Sequence, residues 1–144
     1  WSHALMNMAA LGLLVYLLAD GLEAWSLVGL ILAASLGVDI GLWFLQPELQ
    51  WYVGLSGVLH GLFAGLLVLQ WYCRAERYLW LMLLLSVKLV WEGTTGPLPM
   101  TADLAGGPVV TVAHLYGATG GLLGAICVIL LKRVANGATD NKID

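Results

Sequence analysis

The chain has 144 residues, 60% of them hydrophobic and 10% charged, with a mean hydropathy of +0.89, which is outside the range of soluble domains and assigns it to a bilayer. A net charge of −3, with no basic face interleaved with aromatics, excludes nucleic acid as a partner. Cys73 and Cys127 lack metal-ligand spacing and read as reduced, buried small hydrophobes.

Five apolar segments predict an all-α, polytopic bundle, since a hydrocarbon core of about 30 Å needs roughly 20 helical residues to cross it. The first covers residues 1–19 and ends at Asp20 and Gly21. It opens on Trp1 without a basic stretch and contains His3 and Asn7, so it reads as a membrane helix rather than a signal peptide, and the sequence reads as beginning partway through a longer protein. The second covers residues 22–45 and stops before Pro47; Gly29, Gly37 and Gly41 are its packing residues, and Asp39 is a charge whose partner the sequence does not name. The third, fourth and fifth cover residues 55–72, 78–91 and 109–131. Residues 1–134 make one domain, and 135–144 read as a polar, disordered cytoplasmic tail. Trp43, Trp51, Tyr52, Trp71, Tyr72, Trp80 and Trp91 suit the membrane interfaces.

Lys and Arg are retained on the cytoplasmic side of short loops. Arg74 and Arg77 follow the third segment, Lys132 and Arg133 the fifth, and Lys142 lies in the tail, whereas residues 46–53 and 93–108 carry neither type. This pattern places the first, third and fifth helices with their N-terminal ends outside and the C-terminus inside.

Polar side chains inside a membrane are costly and point to function. His3 and Asn7 stand four apart on one helix face, Ser56 opens the third segment, and His114 lies near the start of the fifth, so all four share a shallow depth on the outer side. Ordinary helices pack about 8–10 Å apart, too far for a serine to meet a histidine across them. Small residues remove that obstacle: Gly57, Gly61 and Gly65 recur every four residues on the third helix, and Ala113, Gly117, Gly121 and Ala125 on the fifth, a spacing that allows close backbone approach. Gly54, just before the serine, marks backbone not yet in regular helix, which is tolerated at membrane depth where it lines a wet cavity. A histidine in contact with the hydroxyl would make Ser56 a nucleophile, and the side chains of Asn7 and His3 with the Ser56 amide would stabilise an oxyanion. His60, four residues after Ser56 on the same face, is a second candidate base or a substrate contact. Lys88 and Glu92, four apart, read as an internal ion pair or as a substrate-recognition site.

Gly54-Leu55-Ser56-Gly57 resembles the GxSG motif of rhomboid intramembrane serine proteases, Ala113-His114-Leu115-Tyr116-Gly117 resembles their AHxxG, and the His3 to Asn7 spacing resembles their HxxxN. The resemblance covers nearly the whole chain. It implies a rhomboid-like bundle with Ser56 as nucleophile, His114 as base in a dyad without a third carboxylate, His3 and Asn7 as oxyanion side chains, and Gly54, Gly57, Gly117 and Gly121 as close-approach glycines. It implies no metal or organic cofactor. Residues 46–53 become a re-entrant loop, and a sixth helix is expected before Trp1. GLSGVLHG and KLVWE look like the rhombosortase branch, which implies a bacterial inner-membrane enzyme with its site on the periplasmic side. Its substrates would be membrane-anchored proteins with a C-terminal Gly-Gly motif, a transmembrane helix and a basic tail. A rhomboid protease of other substrates, an inactive rhomboid-like helix-binding protein and a small transporter are the competing readings. The transporter would need polar residues on the inner halves of the helices, where 62–69 and 126–131 are almost wholly apolar.

Overall fold

A computed structural model describes residues 2–74, 78–99, 101 and 107–140, and each apolar segment becomes one helix: α1 Ser2–Leu18, α2 Ala24–Leu45, α3 Ser56–Arg74, α4 Leu79–Thr95 and α5 Val112–Asp140. No strand occurs among the described residues. Trp1, Arg77, Lys142 and the loop residues 102–106 lie outside them, and with them part of the charge pattern used to orient the chain. Helices α2, α3 and α5 are long and apolar enough to cross a membrane by their own length, whereas α1 and α4 have 17 residues each. Seventeen residues rise about 25 Å, at the lower limit for a span.

Local chemistry explains most of the boundaries. Gly21, with φ 73, forms the turn after α1 in which the Leu22 amide donates to the Ala19 carbonyl at 3.1 Å, and Gly96, with φ 93 and ψ −167, ends α4 in an extended positive-φ conformation open to glycine. The buried amide of Gln70 on α3 donates to the carbonyls of Leu18 at 2.7 Å and Asp20 at 3.0 Å, satisfying acceptors that the end of α1 leaves open. Helix α5 departs from expectation by running on through the stretch read as a polar tail, as far as Asp140. Its continuation contains no proline, and Lys132 pairs with Glu23 ahead of α2 while Arg133 donates to the Tyr72 hydroxyl on α3 at 3.1 Å, so the first turn beyond the apolar run is tethered at two points.

The core lies around α3, where Leu62, Leu66 and Leu67 are fully enclosed with Leu30 of α2. Lipid tails are as apolar as leucine, so close contact rather than the hydrophobic effect must hold such helices together. The glycines supply it. A methyl group on Gly57 would stand 2.8 Å from the carbonyl oxygen of Ala113, and one on Gly65 the same distance from that of Gly121. On Gly117 and Gly121 it would overlap the carbonyls of Gly57 and Gly61. A second row on α5 faces α2: Gly120 abuts the Ala33 carbonyl, Gly124 the Ala33 side chain, and a methyl on Gly37 would come within 2.6 Å of the Tyr116 carbonyl. Helix α5 is thus wedged between α2 and α3 by backbone on both sides. Helix α1 packs on α3 alone among the described elements, and α4 touches only α3 and α5.

Cys73 and Cys127 are free, as expected, but exposed rather than buried; both point outward from the bundle, where lipid rather than protein receives a small apolar side chain. Trp43, Trp51 and Trp80 are also widely exposed, as interfacial aromatics should be.

Replacing Gly121 by valine drives a branched side chain into the Gly61 backbone, which has no flexible end to give way. The expected loss is about 3 kcal/mol, at the upper end of overpacking costs. Gly12→Ala, at a helical site with nothing within 4 Å, is expected to be neutral or stabilising by up to about 1 kcal/mol. Thermal unfolding of the two variants in detergent checks the contrast, and equal behaviour would contradict the packing described.

Candidate active site

Ser56 is the first residue of α3, and the first backbone bond of that helix runs from the Leu59 amide to the Leu55 carbonyl at 2.9 Å. The amides of Ser56, Gly57 and Val58 therefore open the helix without an intrahelical acceptor, at the end where the helix dipole is positive. His114 lies in the first turn of α5, beside Ala113, which is itself in contact with Gly57. The close approach of α3 and α5 brings His114 Nε2 to 3.1 Å from Ser56 Oγ. His114 is 4% exposed, so this contact is made out of bulk water, while Ser56 lines an open cavity.

The other ring nitrogen of His114 is also engaged. Nδ1 stands 2.8 Å from Oε2 of Glu92, which approaches from near the C-terminal end of α4. A carboxylate can only accept, so Nδ1 carries the proton and Nε2 presents its lone pair to the serine hydroxyl. Lys88, one turn earlier, holds the second carboxylate oxygen, Oε1, at 2.6 Å. The family resemblance implied a dyad without a third carboxylate; in the structure a buried carboxylate stands on the far side of the imidazole. The internal ion pair expected of Lys88 and Glu92 is present, but sequence spacing gave no sign that Glu92 also reaches His114. The available signal was one of depth, because α4 ends where α3 and α5 begin.

His60 does not compete for the hydroxyl. Its Nδ1–H donates to the Ser56 carbonyl at 2.7 Å, one turn back on α3, and its ring stacks on that of His114 with centroids 4.0 Å apart and an interplanar angle of 13°. The stack fixes the plane of the His114 ring but leaves open which of its nitrogens is protonated. Ligand atoms of His60, Glu92 and His114 lie within 4.8 Å of one another, close enough to raise the question of a metal ion. Imidazole lone pairs lie in the ring plane, so two stacked, nearly parallel rings keep them in separate planes instead of aiming them at a shared point. Both Nδ1 atoms are already donors, and the arrangement does not suit a metal.

The first helix completes the site. Asn7, Met6 and Ala10 of α1 line a cavity of about 290 Å³ together with Ser56, Leu59, His60 and Phe63 of α3. His3 sits beside the loop that leads into the serine, its Cε1 being 3.5 Å from where a methyl group on Gly54 would lie. Neither the His3 nor the Asn7 side chain hydrogen-bonds to a described residue, which leaves both polar groups available to a ligand at the serine. Gly54 itself is not a close-approach glycine: a methyl group there would make only ordinary contacts, because it precedes the helix, and Gly61 takes that place in the α3–α5 contact. Tyr52, expected at the membrane interface, instead tucks its hydroxyl beside Gly57, where it is buried and has no hydrogen-bond partner among the described residues. Asp39 is exposed and faces a pocket lined also by Gln46, Gln50 and Tyr52.

Comparison with curated proteins and with solved structures gives no match. The family profile described as Rhomboid domain matches residues 1–131, a span that contains α1 to α4, α5 as far as Leu131, and all of the polar residues that meet at the site. This chain belongs to the rhomboid family.

Proposed function

We propose that the chain is an intramembrane serine endopeptidase in which Ser56 attacks and His114 acts as base. The observation that carries this reading is the 3.1 Å contact between the serine hydroxyl and an imidazole nitrogen whose partner leaves it a lone pair. As Oγ bonds to the scissile carbonyl carbon, its proton passes to Nε2, and the carbonyl π electrons move onto oxygen. The amides at the start of α3, with the side chains of Asn7 and His3, are the donors in reach of that oxyanion. Collapse of the tetrahedral intermediate breaks the C–N bond, and the proton on Nε2 leaves with the amine. Water, or an amine in a transfer reaction, then resolves the acyl-enzyme by the same steps in reverse. These steps require no cofactor or metal.

The substrate on this reading is the outer end of a membrane-anchored protein's transmembrane helix, in a bacterial inner membrane with the site on the periplasmic side and the C-terminus cytoplasmic. Within the family, GLSGVLHG and KLVWE favour the rhombosortase branch and substrates with a C-terminal Gly-Gly motif. In support, both stretches reach the base: Ser56 and His60 of the first and Glu92 of the second touch His114 directly. Lys88, whose side chain is 30% exposed, is the group on α4 suited to an anionic substrate feature.

Co-expression with a model Gly-Gly-tailed membrane protein tests the reading. Ser56→Ala and His114→Ala are expected to abolish cleavage, and His60→Ala to retain part of it, because the ring stack is lost but the base remains. Cleavage by Ser56→Ala would refute the mechanism. Asn7→Ala is expected to lower kcat about 10²- to 10³-fold, the usual cost of one oxyanion donor, with the folded yield unchanged. An undiminished kcat would remove Asn7 from the oxyanion site.

A further inference from the structure

We propose that Glu92 is a positioning residue for His114, so that the protein works through a Ser56–His114–Glu92 relay rather than a bare pair; the inference rests on the protease reading above. Three contacts constrain the imidazole, and each does something different. His60 stacks on it and sets the ring plane. Ser56 meets Nε2. Only Glu92, at 2.8 Å from Nδ1, determines which nitrogen carries the proton. With the proton on Nε2 instead, the ring would present N–H to the serine hydroxyl and could not take its proton. During acyl transfer the hydroxyl proton moves to Nε2 and later to the leaving amine, while the Nδ1 proton stays where it is. The carboxylate gains no proton at any step; it holds the tautomer and faces the positive charge that the ring carries in between.

The burial of Glu92 argues against a purely structural ion pair. Its side chain is 3% exposed against 30% for Lys88, so the carboxylate has been drawn inward to the histidine, whereas its cation remains near the surface. An i, i+4 pair on a helix does not need this, since both partners can meet at the surface and avoid the desolvation cost. Both carboxylate oxygens are used, one by each partner. The Thr111 hydroxyl, just ahead of α5, lies 3.5 Å from the Glu92 carbonyl and helps hold the end of α4 against the start of α5. Lys88 offsets the buried negative charge and leaves Oε2 free for Nδ1.

The test uses the full chain in detergent micelles and a fluorophosphonate probe, whose reaction with Ser56 reports activation of the hydroxyl without a natural substrate. Glu92→Gln keeps the volume and removes the charge. Its maximal labelling rate is expected to fall about 10⁴-fold, the size of the loss when the carboxylate of a serine–histidine relay is neutralised, with the half-saturating probe concentration unchanged. The final labelled fraction and the melting temperature are expected to stay near those of the wild type. Should Glu92→Gln fail to fold, the double variant Lys88→Met/Glu92→Gln leaves no unpaired charge and is expected to label equally slowly. A wild-type labelling rate in either variant would overturn the relay while leaving the protease reading intact. A purely structural role would show as a smaller labelled fraction that still reacts at full rate, and that result also refutes the proposal. If the wild type is not labelled, or if Ser56→Ala still labels, both readings fall together.

Discussion

The contact between the backbones of α3 and α5 sets the geometry of everything else. With side chains at the crossing, the two helices would stand apart by more than a serine and a histidine can bridge. With glycine at Gly57, Gly61, Gly117 and Gly121, each backbone rests on the other's carbonyls and the separation is fixed by atoms that have no rotamers. The hydroxyl–imidazole distance is therefore a property of two rigid rods. The second glycine row on α5, against α2, prevents the rod that carries the histidine from rolling away.

Much of this was legible in the residues. A small residue at every fourth position is a periodic signal, and two such rows on helices that begin on the same side leave few arrangements open, so Ser56 and His114 could be matched before any coordinates. The Glu92 contact was less accessible for a physical reason. Lys88 and Glu92 satisfy each other at i, i+4, and a local pairing that accounts for both charges gives no hint that one carboxylate oxygen is left over for another helix. Tyr52 misled in a related way, because an aromatic between two membrane segments looks the same in sequence whether it faces headgroups or folds back beneath the loop. The run of α5 past its apolar stretch depends on two tethers, Lys132 to Glu23 and Arg133 to Tyr72, that join residues far apart in the chain.

The site also shows how a bilayer protein keeps charge. A carboxylate, an ammonium and an imidazole meet near one end of the bundle, at a depth where each alone would be costly. Together they form a chain from the half-exposed Lys88 inward through Glu92 to His114, so the charge is balanced at its wet end and directed at its buried end.

The two sides of the site are held with unequal stiffness. Serine and histidine ride on helices locked backbone to backbone, whereas His3 and Asn7 ride on α1, a 17-residue rod that among the described elements leans on α3 alone. A rod that short is sensitive to bilayer thickness, and tilting is its cheapest accommodation. Lipid composition therefore acts on one half of the machine before the other. On the protease reading proposed above, a thicker or thinner membrane would change how well the developing negative charge is cradled, while leaving the serine–histidine distance as it was.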